Sequence, residues 1–132
     1  MRILGIDHGD VRIGLALSDE GGLIASPLQI IKHVARATDA ETVARIATEK
    51  EAKLIVIGLP TDEEGEIGFQ ARKVKRWAEA LSHATPITIE FWDESFSSVE
   101  ADAATPNRKK GEANDAHAAA ILLQNYLDAH RL

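Results

Sequence analysis

The sequence has no cysteine, so it can form neither a disulfide framework nor a thiolate metal site, and any metal must be held by oxygen or imidazole. That absence fits a reducing compartment. No apolar stretch approaches the roughly 20 residues a membrane span requires. The apolar run ahead of Asp7 is far shorter than a signal-peptide core, so a cytoplasmic protein with no membrane association is expected. Internal repeats and low-complexity tracts are missing as well, which excludes fibrous and solenoid architectures. Positive charge is scarce: 15 Lys and Arg against 21 Asp and Glu leave a net charge of −6. A general polyanion binder would show the opposite balance, because neutralising phosphates takes an excess of basic residues. At 132 residues the chain is the size of one ordinary domain, and a single domain spanning 1–132 is expected.

What is present is patterned. Three apolar runs, Ile3 to Asp7, Arg12 to Ser18 and Leu23 to Ile31, are separated by His8-Gly9-Asp10 and Asp19-Glu20-Gly21-Gly22. Such short connections imply antiparallel neighbours. The period then changes. Thr38-Asp39-Ala40-Glu41 has the form of a capping box, and Val43, Ile46 and Ala47 supply a helical stripe ahead of a buried strand at Leu54 to Leu59. Val74, Trp77, Ala78 and Leu81 predict a second helix over 68–81, Ile87 to Trp92 a fifth strand, and Ser97 to Glu100 a short capped helix. A polar loop at Thr105 to Gly111 precedes a long helix from Ala113 to His130 that turns Ala116, Ala119, Ala120, Leu123 and Leu127 inward. A strand returning parallel needs a crossover helix. The order therefore predicts an α/β fold: a five-stranded mixed sheet, three strands antiparallel and then two parallel, with helices on both faces.

In that topology strands one, four and five end at one edge, where ligands gather in open α/β sheets. Asp7 and the Asp93-Glu94 pair finish there, and Asp115 can join them from the start of the last helix. Gly58 in the intervening strand leaves room between them. Three carboxylates without a thiolate select Mg²⁺ or Mn²⁺ over zinc, and two such ions could serve both sides of a phosphodiester. Side-chain alternation sends Asp93 and Glu94 to opposite faces, so only one should be a close ligand; Asp7, Glu94 and Asp115 are taken as the expected metal set, with Asp93 in reserve. Taken singly, acids at strand ends and helix starts are more often caps than catalysts. Asp19, Asp62, Glu63, Glu64 and Glu66 are expected to be solvated turn residues, and His8 and His117 to flank the site as hydrogen-bond partners. The basic run Arg72 to Arg76 reads as a solvated helix face. The loop residues Arg108, Lys109 and Lys110 are better placed for substrate phosphates, with Arg12 beside them.

Together these segments resemble the YqgF family, also called RuvX. The likeness rests on Ile3-Leu4-Gly5-Ile6-Asp7 with Gly9, Arg12-Ile13-Gly14-Leu15-Ala16, Ser18-Asp19, Ala25-Ser26-Pro27 and Ile57-Gly58-Leu59-Pro60 with Gly65. It continues through Asp93-Glu94, Asp115, Ala118-Ala119, Ile121-Leu122 and Tyr126-Leu127-Asp128, and so covers nearly the whole chain. The resemblance implies an RNase H-like fold, with the family's acids falling at Asp7, the Asp93-Glu94 pair and Asp115. It also implies metal-dependent cleavage of structured nucleic acid: the 5′ end of the 16S ribosomal RNA precursor, with the ribosome as a possible partner, or four-way DNA junctions. In that family the acidic pair is usually followed by arginine, where this chain has Ser95. A symmetric resolvase must act as a dimer, whereas RNA processing is open to a monomer or a homodimer.

Two rival readings compete. Gly5-Ile6-Asp7-His8-Gly9 also looks like the first phosphate loop of actin-like ATPases and sugar kinases, but those clasp nucleotide between two domains and this chain has length for one. The other rival is a noncatalytic nucleic-acid or ribosome-binding factor, favoured by Ser95 and the acidic balance.

Overall fold

A computed structural model describes residues 1–60, 68–93 and 116–130. The chain opens as a meander of three strands, β1 (Arg2–His8), β2 (Arg12–Ser18) and β3 (Ala25–Lys32). The second turn is closed by Asp19, whose Oδ1 accepts the backbone N–H groups of Leu23 at 2.8 Å and Ile24 at 3.0 Å. Gly22 occupies the left-handed region there at φ 69°, which a glycine adopts without a Cβ penalty. Helix α1 (Arg36–Glu49), strand β4 (Ala52–Leu59), helix α2 (Phe69–Ala84), strand β5 (Thr88–Asp93) and helix α3 (Ala116–Ala129) follow. The sheet order is β3-β2-β1-β4-β5. β1 pairs antiparallel with β2 and parallel with β4, and β5 lies parallel beyond β4. This is the predicted mixed sheet, three strands antiparallel and two parallel.

Period-two alternation divides the core in two. Leu4, Ile6, Ile13, Leu15, Ile55 and Ile57 face α1 and α2, packing on Val43, Ile46, Trp77 and Leu81. Ile3, Ala16, Leu54 and Val56 face the other way onto Ala119, Leu123, Tyr126 and Leu127 of α3. Helices therefore cover both faces, as parallel strands require. On the second face α3 rests almost on the backbone of β1: a Cβ at Gly5 would lie 2.8 Å from Leu123 Cβ. Four of the five predicted inward residues of α3 are buried, and Leu122 and Tyr126 join them; Ala116 is half-buried.

Boundaries shift by one to three residues, and one start signal is corrected. The capping box at Thr38 does not open α1, which begins at Arg36 after Ala35 with no side-chain cap. Asp39 instead lies inside the first turn, 2% exposed, and turns its carboxylate back onto the chain leaving β3. Its Oδ1 accepts the Val34 N–H at 3.0 Å, while Oδ2 accepts the Trp77 indole N–H at 3.0 Å and bonds His33 Nδ1. The competing demand is tertiary: one buried carboxylate ties β3, α1 and α2 together, and a buried charge must be fully partnered. The short helix expected at Ser97, the polar loop at Thr105 to Gly111, and Asp62, Glu63, Glu64 and Glu66 lie outside the described residues.

Candidate active site at the carboxyl edge of the sheet

β1 is the middle strand, and it delivers Asp7 to the sheet edge at which all the parallel strands end. The side chain is buried, 7% exposed. Asp7 pairs with Gly14 in β2, and because Ile6 pairs with Ile57, the next position across in β4 is Gly58. The carboxylate thus stands between two strands that carry no side chain at its level. By alternation from Ile3 and Gly5 it belongs to the α3 face. Trp92 is on that face too, in register with Gly58, and packs edge-on against Tyr126 at 5.6 Å between ring centres. Tyr126 donates its hydroxyl proton to Glu90, and burial together with that carboxylate pushes its pKa up to about 12. These contacts pin the far half of α3 to β5.

Helix α3 also reaches the opposite end of the sheet. Leu123 lies over Gly5, and one residue further on Gln124 donates to Leu23 O at 2.9 Å and accepts from Ala25 N at 2.9 Å, at the opposite end of the sheet. Asp115, together with Glu94, Arg108, Lys109 and Lys110, lies outside the described residues. Among the described residues no three acidic or histidine side chains gather into a metal-binding group. Asp93 is described: it is in register with Leu59, which packs on the α1/α2 core, so it lies on the face opposite Asp7.

His8 is corrected in the same way. It follows Asp7 and so turns to the α1/α2 face, where its ring centre lies 5.0 Å from Trp77 and 5.4 Å from His33. Burial, helped by the neighbouring His33, lowers its pKa to about 4, and the ring is neutral at pH 7. It supports β1 from behind and does not flank the carboxylate. His117 is exposed on α3.

Arg12 starts β2 and, by alternation from Gly14, projects on Asp7's face; it is exposed. Its cross-strand partner is Lys32, also exposed, so two cations share this corner of the edge. The sequence reading missed Lys32, because only the register of β3 reveals it. It also missed Asp10, which accepts a hydrogen bond from Lys73 at 3.1 Å and so joins the β1–β2 turn to the first turns of α2. The Lys73 ammonium holds the Asp10 carboxyl below its usual range.

A buried carboxylate between two bare backbone strands suits a hard divalent cation, which prefers oxygen ligands and needs space for water. Comparison with known proteins identifies the family and the fold. The family model described as RuvX, Holliday junction resolvase, matches residues 1–129. A protein of Thermoanaerobacter pseudethanolicus is 41% identical over 99% of both chains, and one of Clostridioides difficile is 42% identical over 96% of this chain and 94% of its own; both are named "Putative pre-16S rRNA nuclease". Among solved structures, Thermus thermophilus RuvC in complex with a Holliday junction substrate aligns over 98% of this chain and 94% of its own, with a TM-score of 0.60 at 16% identity. The fowlpox virus resolvase in complex with Holliday junction DNA aligns over 98% of both chains, with a TM-score of 0.57 at 14% identity. The chain belongs to the RuvX family, and its fold is RNase H-like.

Proposed function

We propose that this chain is a divalent-metal-dependent endonuclease acting on structured nucleic acid, with the 5′ end of the 16S ribosomal RNA precursor as its substrate. The observation that carries the reading is Asp7: a nearly buried carboxylate at the carboxyl end of the middle strand, flanked by Gly14 and Gly58. Relatives about 40% identical over almost their whole length are named for that RNA. The single domain, residues 1–132, carries the whole activity.

Asp7, Glu94 and Asp115 are proposed to hold Mg²⁺ or Mn²⁺. Of the acidic pair Glu94 is preferred, because Asp93 shares a face with Leu59 rather than with Asp7. Bound cations of this kind stabilise charge on a phosphodiester and activate an attacking water. The protein's own part is to fix the acids on rigid elements and keep the floor beside Asp7 clear. Arg12 and Lys32, with Arg108, Lys109 and Lys110, would grip the backbone of the substrate, which positions it without reading sequence.

A second reading is supported by the family's description and by the fold shared with junction-bound resolvases: cleavage of branched DNA. One experiment separates the two. Purified protein is incubated with Mg²⁺ or Mn²⁺ and either an rRNA-precursor fragment or a four-way DNA junction, alongside Asp7→Asn and a chelated control. Cleavage of the RNA alone, lost in Asp7→Asn and on chelation, is the expected outcome. Equal cleavage by wild type and Asp7→Asn would mean a contaminant, and no cleavage of either substrate would return the chain to the noncatalytic binding factor.

A further inference from the structure

Apart from the Lys73–Asp10 bond, the basic run of α2 plays no part in the site described above, yet it gathers four cations within five positions of an acidic chain. Within Phe69–Ala84 stand Arg72, Lys73, Lys75 and Arg76 against the single acid Glu79, while the whole chain carries −6. The helix buries Ala71, Val74, Trp77, Ala78 and Leu81, which leaves Phe69, Arg72, Lys73 and Arg76 along its opposite crest. Phe69 is 66% exposed, and Lys73 Nζ lies 5.2 Å from its ring centre. A single exposed apolar side chain is ordinary by itself, and Val11 and Val34 are as exposed as Phe69; what sets this ring apart is the cations that surround it. Among the described residues neither Arg72 nor Arg76 forms an ion pair. A second ring, Phe91, 40% exposed on β5, lies 6.0 Å from Lys75 Nζ on the flank of the same helix.

The location matters as much as the composition. α2 follows β4, so Phe69 lies toward the edge where β1 and β4 end, and the Lys73–Asp10 bond fastens this turn to the loop directly after Asp7's strand. From Phe69 to Arg76 the crest is roughly 10 Å long. At about 3.4 Å per stacked nucleotide, that accommodates about three. Aromatic faces interleaved with cations are what bind single strands, since every base has a face to stack and every linkage a charge.

We infer that the crest of α2 is a second nucleic-acid contact, which takes the single-stranded flank of the substrate by stacking one base on Phe69 and holding its phosphates with Arg72 and Arg76. This rests on the nuclease reading for the identity of the substrate, but not for its test. Lys73 orients the ring and is held in turn by Asp10. Phosphate contacts at α2 would also help an acidic protein hold a polyanion, since four of its 15 Lys and Arg stand together on this helix beside a single acid.

The test is carried out in Asp7→Asn, so that binding is read without cleavage. Fluorescence anisotropy compares a short duplex bearing a six-nucleotide single-stranded flank with the same duplex blunt, each made as RNA and as DNA. Phe69→Ala is expected to weaken binding of the flanked form about tenfold, within the usual range for one stacked base, and the blunt form less than twofold. Phe69→Trp should retain it. Arg72→Ala with Arg76→Ala should lower the salt dependence on the flanked form by about 1.4 in log–log slope, or about 0.7 per lost contact. A 2-aminopurine placed in the flank should be quenched by the parent and by Phe69→Trp but not by Phe69→Ala. Because all three side chains are on the surface, thermal melting should not move. Equal loss on blunt and flanked forms, or no loss on either, overturns the inference. Failure of the wild type to cut in Mg²⁺ or Mn²⁺ would be a separate result, against the nuclease reading and silent on the crest.

Discussion

Replacing Gly5 by alanine probes the close approach of α3 to β1. The new Cβ would stand 2.8 Å from Leu123 Cβ and 3.3 Å from both Leu123 Cγ and Cδ2, where ordinary contact begins near 3.4 Å. The terminal Leu123 atoms can rotate away, but its Cβ is fixed to the helix backbone, so relief requires α3 as a whole to lift by about half an ångström or more. Forcing one methyl into a packed core costs about 1–3 kcal/mol. Alanine restricts the unfolded chain and returns about 0.4–1 kcal/mol, which offsets only part of this. A net loss of about 1–2 kcal/mol is expected, and it should lower the urea midpoint by about 1 M with the slope unchanged. Gly68→Ser is the control, because nothing lies within 4 Å of a Cβ there and a serine N-cap satisfies an open N–H of α2. It should be neutral or slightly stabilising. The same lift of α3 should weaken Mn²⁺ binding in proportion if Asp115 enters the site from the start of that helix. A Gly5→Ala protein as stable as the parent would refute the claim that helix and strand meet backbone to backbone.

Other perturbations have calculable outcomes. His8 has a folded pKa of about 4, below the ordinary 6.5, so on acidification the unfolded chain takes up its proton first. Stability should be complete above about pH 6.5 and fall as the pH drops toward 4, and His8→Gln should flatten that slope in pH-dependent urea melts. Asp39→Ala strands the Trp77 indole and the Val34 amide, for a loss of about 3 kcal/mol visible in tryptophan-monitored unfolding; a loss under 1 would mean that the network is ornamental. Burial alone would raise the Asp39 pKa, but its hydrogen bonds from His33, Val34 and Trp77 outweigh that and hold it low. Its stabilisation is therefore present above about pH 4 and fades only below it. Glu51 follows α1 at φ 60°, a left-handed conformation that costs a non-glycine residue about 1 kcal/mol, so Glu51→Gly should raise the melting temperature by several degrees. Tyr126 is the sole tyrosine, and its ultraviolet titration should centre near pH 12, moving toward 10 in Glu90→Gln.

The sheet was legible in the sequence because its signals are local. Alternation within Ile3–Asp7 and Arg12–Ser18, short glycine-rich turns, and strand-helix-strand spacing specify the neighbours and directions of all five strands. Alternation showed that only one of Asp93 and Glu94 could share Asp7's face but not which; that depends on the strand's register, which sets Asp93 beside Leu59. What could not be read depends on partners distant in sequence. The Thr38 capping signal was outweighed by Asp39, whose buried carboxylate answers to Trp77, 38 residues away. His8 looked like a neighbour of the reactive carboxylate because it is one in sequence, but a strand sends successive side chains to opposite faces. Lys32 gains its place at the edge only through its pairing with Arg12, and a bulge in the β2–β3 register hides that pairing from a count along the chain.

The bare strands on either side of Asp7 have a further consequence. Cross-strand side-chain pairs hold a sheet together, and at the level of Gly14 and Gly58 two of them are missing from its very middle. The ladder there is held by main-chain bonds alone, so opening should begin at this rim and not at the sheet's outer strands. Amide exchange at Asp7 and Gly14 would then slow sharply once a cation bridges the gap, and a bound ion would act as the missing rivet of the fold.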